Sequence, residues 1–245
     1  MRNVNSNFPM TSIFSAFEAI YVVSLTKRID RRTEIQRELA RAGLRIGQGA
    51  VRFFDAVEPA DAGGFPSRGA RGCFLSHLEI LRQARESGLR RFLVLEDDAM
   101  PGRNFRRADA LIDFCHTGDW DFLYLGHVLP PVSGPLRWIQ TVGGVQCTHA
   151  YALRGEVLPS LIQFLEGMIS RPPGDSGFGP MHVDAAYSIF MDVHPEIRVF
   201  RASKSLLLQR SSRSDVTPGN FADRMVPASM LMVARKLKSW IRARI

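Results

Sequence analysis

Arg91-Phe92-Leu93-Val94-Leu95 is a short apolar run, and it passes straight into Glu96-Asp97-Asp98. A run of this length and composition reads as a buried strand. Ligands of open α/β sheets gather beyond the carboxyl ends of the strands, so a carboxylate triplet at such an end marks a candidate site. Three adjacent carboxylates repel one another unless a cation sits among them. Hard oxygen donors suit Mg²⁺ or Mn²⁺, which commonly bridge one or two carboxylates to substrate phosphates. The competing reading is a solvated acidic turn. Along an extended segment, Glu96 and Asp98 share one face and Asp97 takes the other.

Working outward, Ile20 to Leu25 is a β-branched-rich strand, and Arg31 to Ala42 is a helix with Ile35, Leu39 and Ala42 on one face. Val51 to Val57 reads as a second strand and Asp61 to Arg71 as a Gly/Ala/Pro-rich loop. Gly72 to Glu86 has helical periodicity, which places Ser76 and His77 near a helix start. After the acidic triplet come a helix over Phe105 to Cys115, a strand over Asp121 to Leu125 and two short strands between Trp138 and Leu153. Gly155 to Ile169 reads as a helix, Arg171 to Pro180 as a loop, and His182 to Phe190 as a helix. Ile197 to Phe200 and Ser205 to Gln209 read as strands, and Met230 to Ile245 as a terminal helix. Alternating strands and helices predict an α/β fold with a mostly parallel central sheet.

The chain has 245 residues, 45% of them apolar, which suits one α/β domain with a real core. No apolar run reaches the roughly 18 residues of a membrane span. Asn3, Asn5, Ser6 and Asn7 break up the first residues, which therefore do not read as a signal peptide. Three widely spaced cysteines, Cys73, Cys115 and Cys147, form neither a disulfide framework nor a zinc spacing and read as reduced thiols in the cytoplasm. The net charge of +8 points to anionic partners.

The segment Leu93 to Ala99 resembles the hallmark motif of glycosyltransferase family 25, which includes lipooligosaccharide galactosyltransferases and relatives of the collagen galactosyltransferases. Upstream, Arg71-Gly72-Cys73-Phe74-Leu75-Ser76-His77 resembles a second family signature, Gly-Cys-x-x-Ser-His. Ile20 to Leu25 with Arg28 and Arg31, Thr148-His149-Ala150-Tyr151, and Gln209 with Ser214-Asp215 agree as well. The resemblance covers roughly residues 19 to 216. It implies a GT-A-like, Rossmann-type fold, a UDP-sugar donor, a divalent metal and inversion at the anomeric carbon. It also divides the chain into an extension over 1–18, a transferase domain over 19–216 and a basic helical extension over 217–245. Two positions depart from the family pattern. The chain has Ser24 where the family usually has Asn, and Asp55-Ala56 is followed by Val57-Glu58 where the family often has Asp-Gly.

Within that frame, Asp98 is the leading metal ligand and Glu96 the next, as in DxD-type sites. Asp97 has two open roles, holding the donor ribose or pointing into the fold. Ser24, Arg28, Arg31, Asp55, Ser76, His77, Asp97 and His149 are the candidate donor-binding residues. A guanidinium at Arg28 or Arg31 suits a diphosphate, although either position also fits a solvated helix start. Ser76 and His77 either contact the donor or tie helix to sheet, and Tyr151 packs. Cys73 reads as packing. Asp184 is the candidate general base for the acceptor hydroxyl, with a helix cap as the alternative and Asp215 as runner-up. The loop over Arg171 to Pro180 would cover the acceptor.

The expected reaction moves a hexose, galactose first, from a UDP-sugar to a saccharide or lipid-linked acceptor such as lipooligosaccharide. The C-terminal stretch carries Arg235, Lys236, Lys238, Arg242 and Arg244 beside an apolar stripe, which suits an anionic membrane surface or docking on the domain. Nucleic acid is not an expected partner, because no aromatic residues interleave a basic stripe elsewhere. Two alternatives stand beside the transferase reading: a catalytically degenerate glycan-binding or assembly protein of the same fold, motivated by Ser24 and Glu58, and a basic nucleic-acid-binding protein, suggested by the +8 charge.

Overall fold

The computed structural model describes residues 12–145 and 147–210. Seven strands form the central sheet: β1 (Ala19–Ser24), β2 (Val51–Asp55), β3 (Arg91–Glu96), β5 (Phe122–Tyr124), β6 (Trp138–Thr141), β7 (Ala150–Arg154) and β8 (Val199–Ala202). β4 (Ala99–Pro101) and β9 (Leu207–Gln209) pair as a separate two-stranded ribbon. The sheet order is β2-β1-β3-β7-β5-β8-β6. β1, β2, β3, β5 and β8 run one way, while β7 and β6 run against them. The expected α/β fold with a mostly parallel central sheet flanked by helices is therefore present, with an antiparallel strand inserted at its centre.

Side-chain alternation makes this a three-layer molecule. Tyr21, Val23, Phe92, Val94, Phe122, Tyr124, Tyr151 and Leu153 face one core. That core is covered by α2 (Arg68–Glu86), α4 (Leu158–Ile169) and α5 (Val183–Val193). Ile20, Val22, Leu93, Leu95, Leu123, Leu125, Ala150 and Ala152 face the other, under α1 (Ile29–Arg41), α3 (Ile112–Thr117) and the 3₁₀ turn Ile13–Ala16. Ile13, Phe14, Ala16 and Phe17 are buried in this second core. Residues 13–17 thus pack as part of the body, although they fall inside the expected 1–18 extension.

Two elements differ from expectation for identifiable reasons. α2 begins at Arg68, four residues before Gly72, because Ser67 caps it by accepting the Ala70 amide at 2.9 Å. Helix continuation through Gly69 and Gly72 overrides their low propensity, since a Cβ on Gly72 would stand 2.6 Å from the Val57 carbonyl oxygen. Ser76 and His77 consequently lie in the helix interior against the sheet, not at its start. The single helix expected over Phe105 to Cys115 is instead the 3₁₀ stretch Arg103–Leu111 followed by α3. Phe105, Ala108 and Leu111 recur every third residue and all pack on the core, which matches the 3₁₀ repeat. The helix expected over Met230 to Ile245, and Ser214 and Asp215, lie outside the described residues.

Antiparallel β7 has a consequence for function. Its N-terminal end lies beside the C-terminal end of β3, with Leu95 opposite Ala150. Thr148 and His149 therefore sit next to Glu96, whose amide donates to the His149 carbonyl at 3.0 Å.

Candidate active site

The C-terminal ends of β1 and β3, the segment after β2, the N-terminal half of α2 and the start of α5 enclose a cleft of about 960 Å³. The acidic triplet forms its floor. Glu96 closes β3, and its carboxylate accepts the Thr148 hydroxyl at 2.6 Å. Asp98 accepts Gln209 Nε2 at 3.2 Å, while its other oxygen, Oδ1, is buried without a hydrogen-bond partner. Burial, reinforced by neighbouring carboxylates, raises the proton affinity of both Glu96 and Asp98. An orphaned carboxylate oxygen in an all-oxygen set whose members resist ionising together is the environment a hard divalent cation relieves, so Glu96 and Asp98 fit such an ion.

β3 ends at Glu96, and in the turn that leads to β4 the Asp97 side chain takes partners of its own. Its carboxylate accepts the Ser24 hydroxyl at 2.8 Å and pairs with Arg31 Nη1 at 2.9 Å. These contacts engage the carboxylate within the fold, while Asp97 itself still lines the cleft. Ser24, at the position where the resemblance anticipates Asn, is a buried donor to this aspartate.

The cleft brings together Ser24, Arg31, Ser76, His77, the three acids and Asp184. Ser76 is fully buried. Its hydroxyl donates to the Gly72 carbonyl at 2.6 Å and accepts the Val57 amide at 2.8 Å, joining α2 to the segment after β2. His77 Nδ1 lies 2.7 Å from the Tyr151 hydroxyl, and burial lowers the imidazole pKa to about 4. Helix-to-sheet tying is therefore visible for both residues. Asp184 sits in the first turn of α5 and accepts the Ala185 amide at 2.9 Å.

Three expected donor contacts are not part of the lining. Arg28 pairs with Asp30 at 2.9 Å on the outer side of α1. Asp55 is exposed and pairs with Arg32. His149 is buried beneath the floor, with Nε2 3.0 Å from the Leu207 carbonyl and its pKa lowered by burial to about 4. A histidine so placed holds β7 to the ribbon and does not reach the cleft. Conversely, Lys27, Arg68, Thr148 and Arg210 line the cleft without having been singled out as site residues. Thr148 was legible only as the neighbour of His149, and the cations as positions flanking the motifs.

No family model matches the chain. Among curated proteins, it is 32% identical to inactive glycosyltransferase 25 family member 3 of Homo sapiens, over 56% of this chain and 27% of that protein. It is 26% identical to procollagen galactosyltransferase 2 of Homo sapiens, over 78% of this chain and 33% of that protein. A solved glycosyltransferase involved in glycosylation of the major capsid of PBCV-1 aligns over 80% of this chain and 93% of its own, at 13% identity and a TM-score of 0.48. The chain thus spans about a third or less of the length of these curated relatives. Among the described residues, no helix is long and apolar enough to cross a membrane.

Proposed function

We propose that this chain, a relative of glycosyltransferase 25 family members, is a metal-dependent, inverting transferase that moves a hexose from a UDP-sugar to a saccharide acceptor. The observation that carries the reading is the pairing of Glu96 with Asp98 at the strand end, with one Asp98 oxygen buried and unpartnered. The curated galactosyltransferases favour galactose as the sugar. A surface glycan such as lipooligosaccharide remains the proposed acceptor.

Glu96 and Asp98 would hold a Mn²⁺ or Mg²⁺ ion, which when bound neutralises charge on the leaving diphosphate. Around that pair, the chain's own residues divide the remaining work. Arg31 and Arg210, both on the cleft wall, add positive potential where the phosphates would lie. Arg210 is steadied by Glu34 at 3.0 Å. Asp97 holds Arg31 in place from below. Asp184 accepts the proton of the attacking acceptor hydroxyl, the step an inverting transfer requires of a carboxylate. Its local bond to the Ala185 amide fixes one oxygen and leaves the other available.

The test is a panel of UDP-, GDP- and CMP-sugars in a thermal-shift and hydrolysis assay, with and without Mn²⁺. Stabilisation and turnover confined to a UDP-sugar, and lost on chelation, are expected. Unchanged metal-dependent turnover in Asp98→Ala would sink the assignment, and donor binding without any turnover would favour a degenerate binding protein.

A further inference from the structure

Three potential ligand atoms of mixed chemistry meet beside the carboxylate pair. Cys73 and His77 are four residues apart on α2 and so share one helix face. The Cys73 thiol, a His77 ring nitrogen and a Glu96 carboxylate oxygen all lie within 4.8 Å of one another. His77 Nε2 stands 3.8 Å from Glu96 Oε1. His77 is fully buried, and its Nε2 has no hydrogen-bond partner. Its other nitrogen is committed to Tyr151, whose hydroxyl lies 3.0 Å from that of Tyr187. When Nδ1–H donates to Tyr151, Nε2 turns a lone pair toward the Glu96 carboxylate. Two acceptors facing one another with a thiol beside them form a cation-binding arrangement.

The outer contacts are those of a supported metal site. A ligating histidine normally hydrogen-bonds through its second nitrogen, and a ligating carboxylate accepts a further donor. Tyr151 and the Thr148 hydroxyl occupy these roles. Sulfur and imidazole nitrogen select a borderline-soft ion over Mg²⁺ or Mn²⁺. Bond lengths to zinc of about 2.0–2.3 Å imply that about an ångström of side-chain movement closes the set.

We propose that Cys73, His77 and Glu96 form a second cation site, for a borderline-soft divalent ion of the zinc class, with a fourth position open to the cleft. As the sulfur–metal bond forms, the thiol proton leaves to solvent. Glu96 belongs to both sites, so occupancy by the soft ion withdraws it from the hard-ion pair. That competition, unlike the site itself, rests on the transferase reading.

Titration of the full chain with Co²⁺ tests the site without any sugar substrate. A thiolate-to-cobalt charge-transfer band in the near ultraviolet is expected, displaced by Zn²⁺ and indifferent to Mg²⁺. Cys73→Ser should abolish the band while keeping the wild-type melting transition. His77→Gln should keep a thiolate band but weaken affinity at least about tenfold. Cys115→Ser and Cys147→Ser should leave the band intact. Absence of the band in the wild-type chain, its survival in Cys73→Ser, or its loss in Cys147→Ser overturns the assignment. If the band forms as described but no nucleotide sugar binds, the transferase reading fails while the site stands. Where turnover is present, Cys73→Ser should raise the Zn²⁺ concentration needed for inhibition at least about tenfold, and an unchanged value overturns the competition.

Discussion

The Arg31 guanidinium and the Asp97 carboxylate meet at 2.9 Å under the cleft, both nearly buried. This contact ties the first turn of α1 to the residue that follows β3, and Ser24 at the end of β1 adds a second donor to the same carboxylate. A buried ion pair is weak evidence for net stability, but removing one partner strands the other charge. Arg31→Met and Asp97→Asn should each lower the unfolding free energy by about 3 kcal/mol. The double variant should cost less than the sum, because neither charge is then stranded. Chemical denaturation of the four proteins checks this, and strictly additive costs would show that the two residues do not depend on each other.

Asp184 separates a cap from a base. The N-cap of α5 is His182, and Asp184 is a first-turn acid whose bond to the Ala185 amide an asparagine oxygen can also accept, so Asp184→Asn should leave the melting temperature and donor binding nearly unchanged. As a base, its loss should lower kcat by about 10²-fold or more with little change in the KM for donor. A kcat within a factor of two or so of wild type would return Asp184 to the bland role of first-turn acid.

The strands and the acidic floor were legible because their signals are local. Arg91–Glu96 is an unbroken apolar run bounded by charge, whereas Asp97 and Asp98 form the turn into β4, so the turn and not strand alternation sets their orientation. What escaped were features set by distant chain. The start of α2 depends on Ser67 capping and on Gly72, whose missing side chain permits close packing against Val57. The fate of His149 depends on β7 entering antiparallel, which turns its ring toward the Leu207 carbonyl. Arg28 and Asp55 offered the right charge, but each found a neighbour on the outer surface, Asp30 and Arg32. A single sequence does not reveal which partner a charge will take.

His77 gives a test on the acid side. Its pKa falls from 6.5 to about 4 through burial, so the folded chain excludes a proton that the unfolded chain binds. The sign follows: the imidazole's contribution to stability is complete above about pH 6.5, declines as pH falls through that value, and is gone below about pH 4. His77→Gln removes this dependence. The stability advantage of wild type over His77→Gln should therefore shrink by up to about 3 kcal/mol between about pH 7 and pH 4. A pH-independent difference would mean that the imidazole is not held neutral.

Glu96 and Asp98 carry the opposite sign and identify the metal site without an activity assay. Burial, with repulsion from Asp98 acting on Glu96 and from Asp97 acting on Asp98, raises both above their ordinary values of 4.5 and 3.8, so the folded chain retains protons that the unfolded chain has released. Metal-free stability must then fall as pH rises from the ordinary carboxylate range toward about pH 8. Glu96→Gln/Asp98→Asn removes both titrations, so its melting temperature should fall less than that of wild type over this window. A bound divalent cation acts in the reverse direction, because it favours the ionised carboxylates. Mn²⁺ held at about a hundred times its dissociation constant at pH 8 should stabilise wild type by about 2.7 kcal/mol there and by less at pH 6, and leave the double variant unmoved. Equal stabilisation of wild type and the double variant by Mn²⁺ would place the ion elsewhere. Parallel melting profiles across the pH range would show that the two carboxylates do not share a strained site.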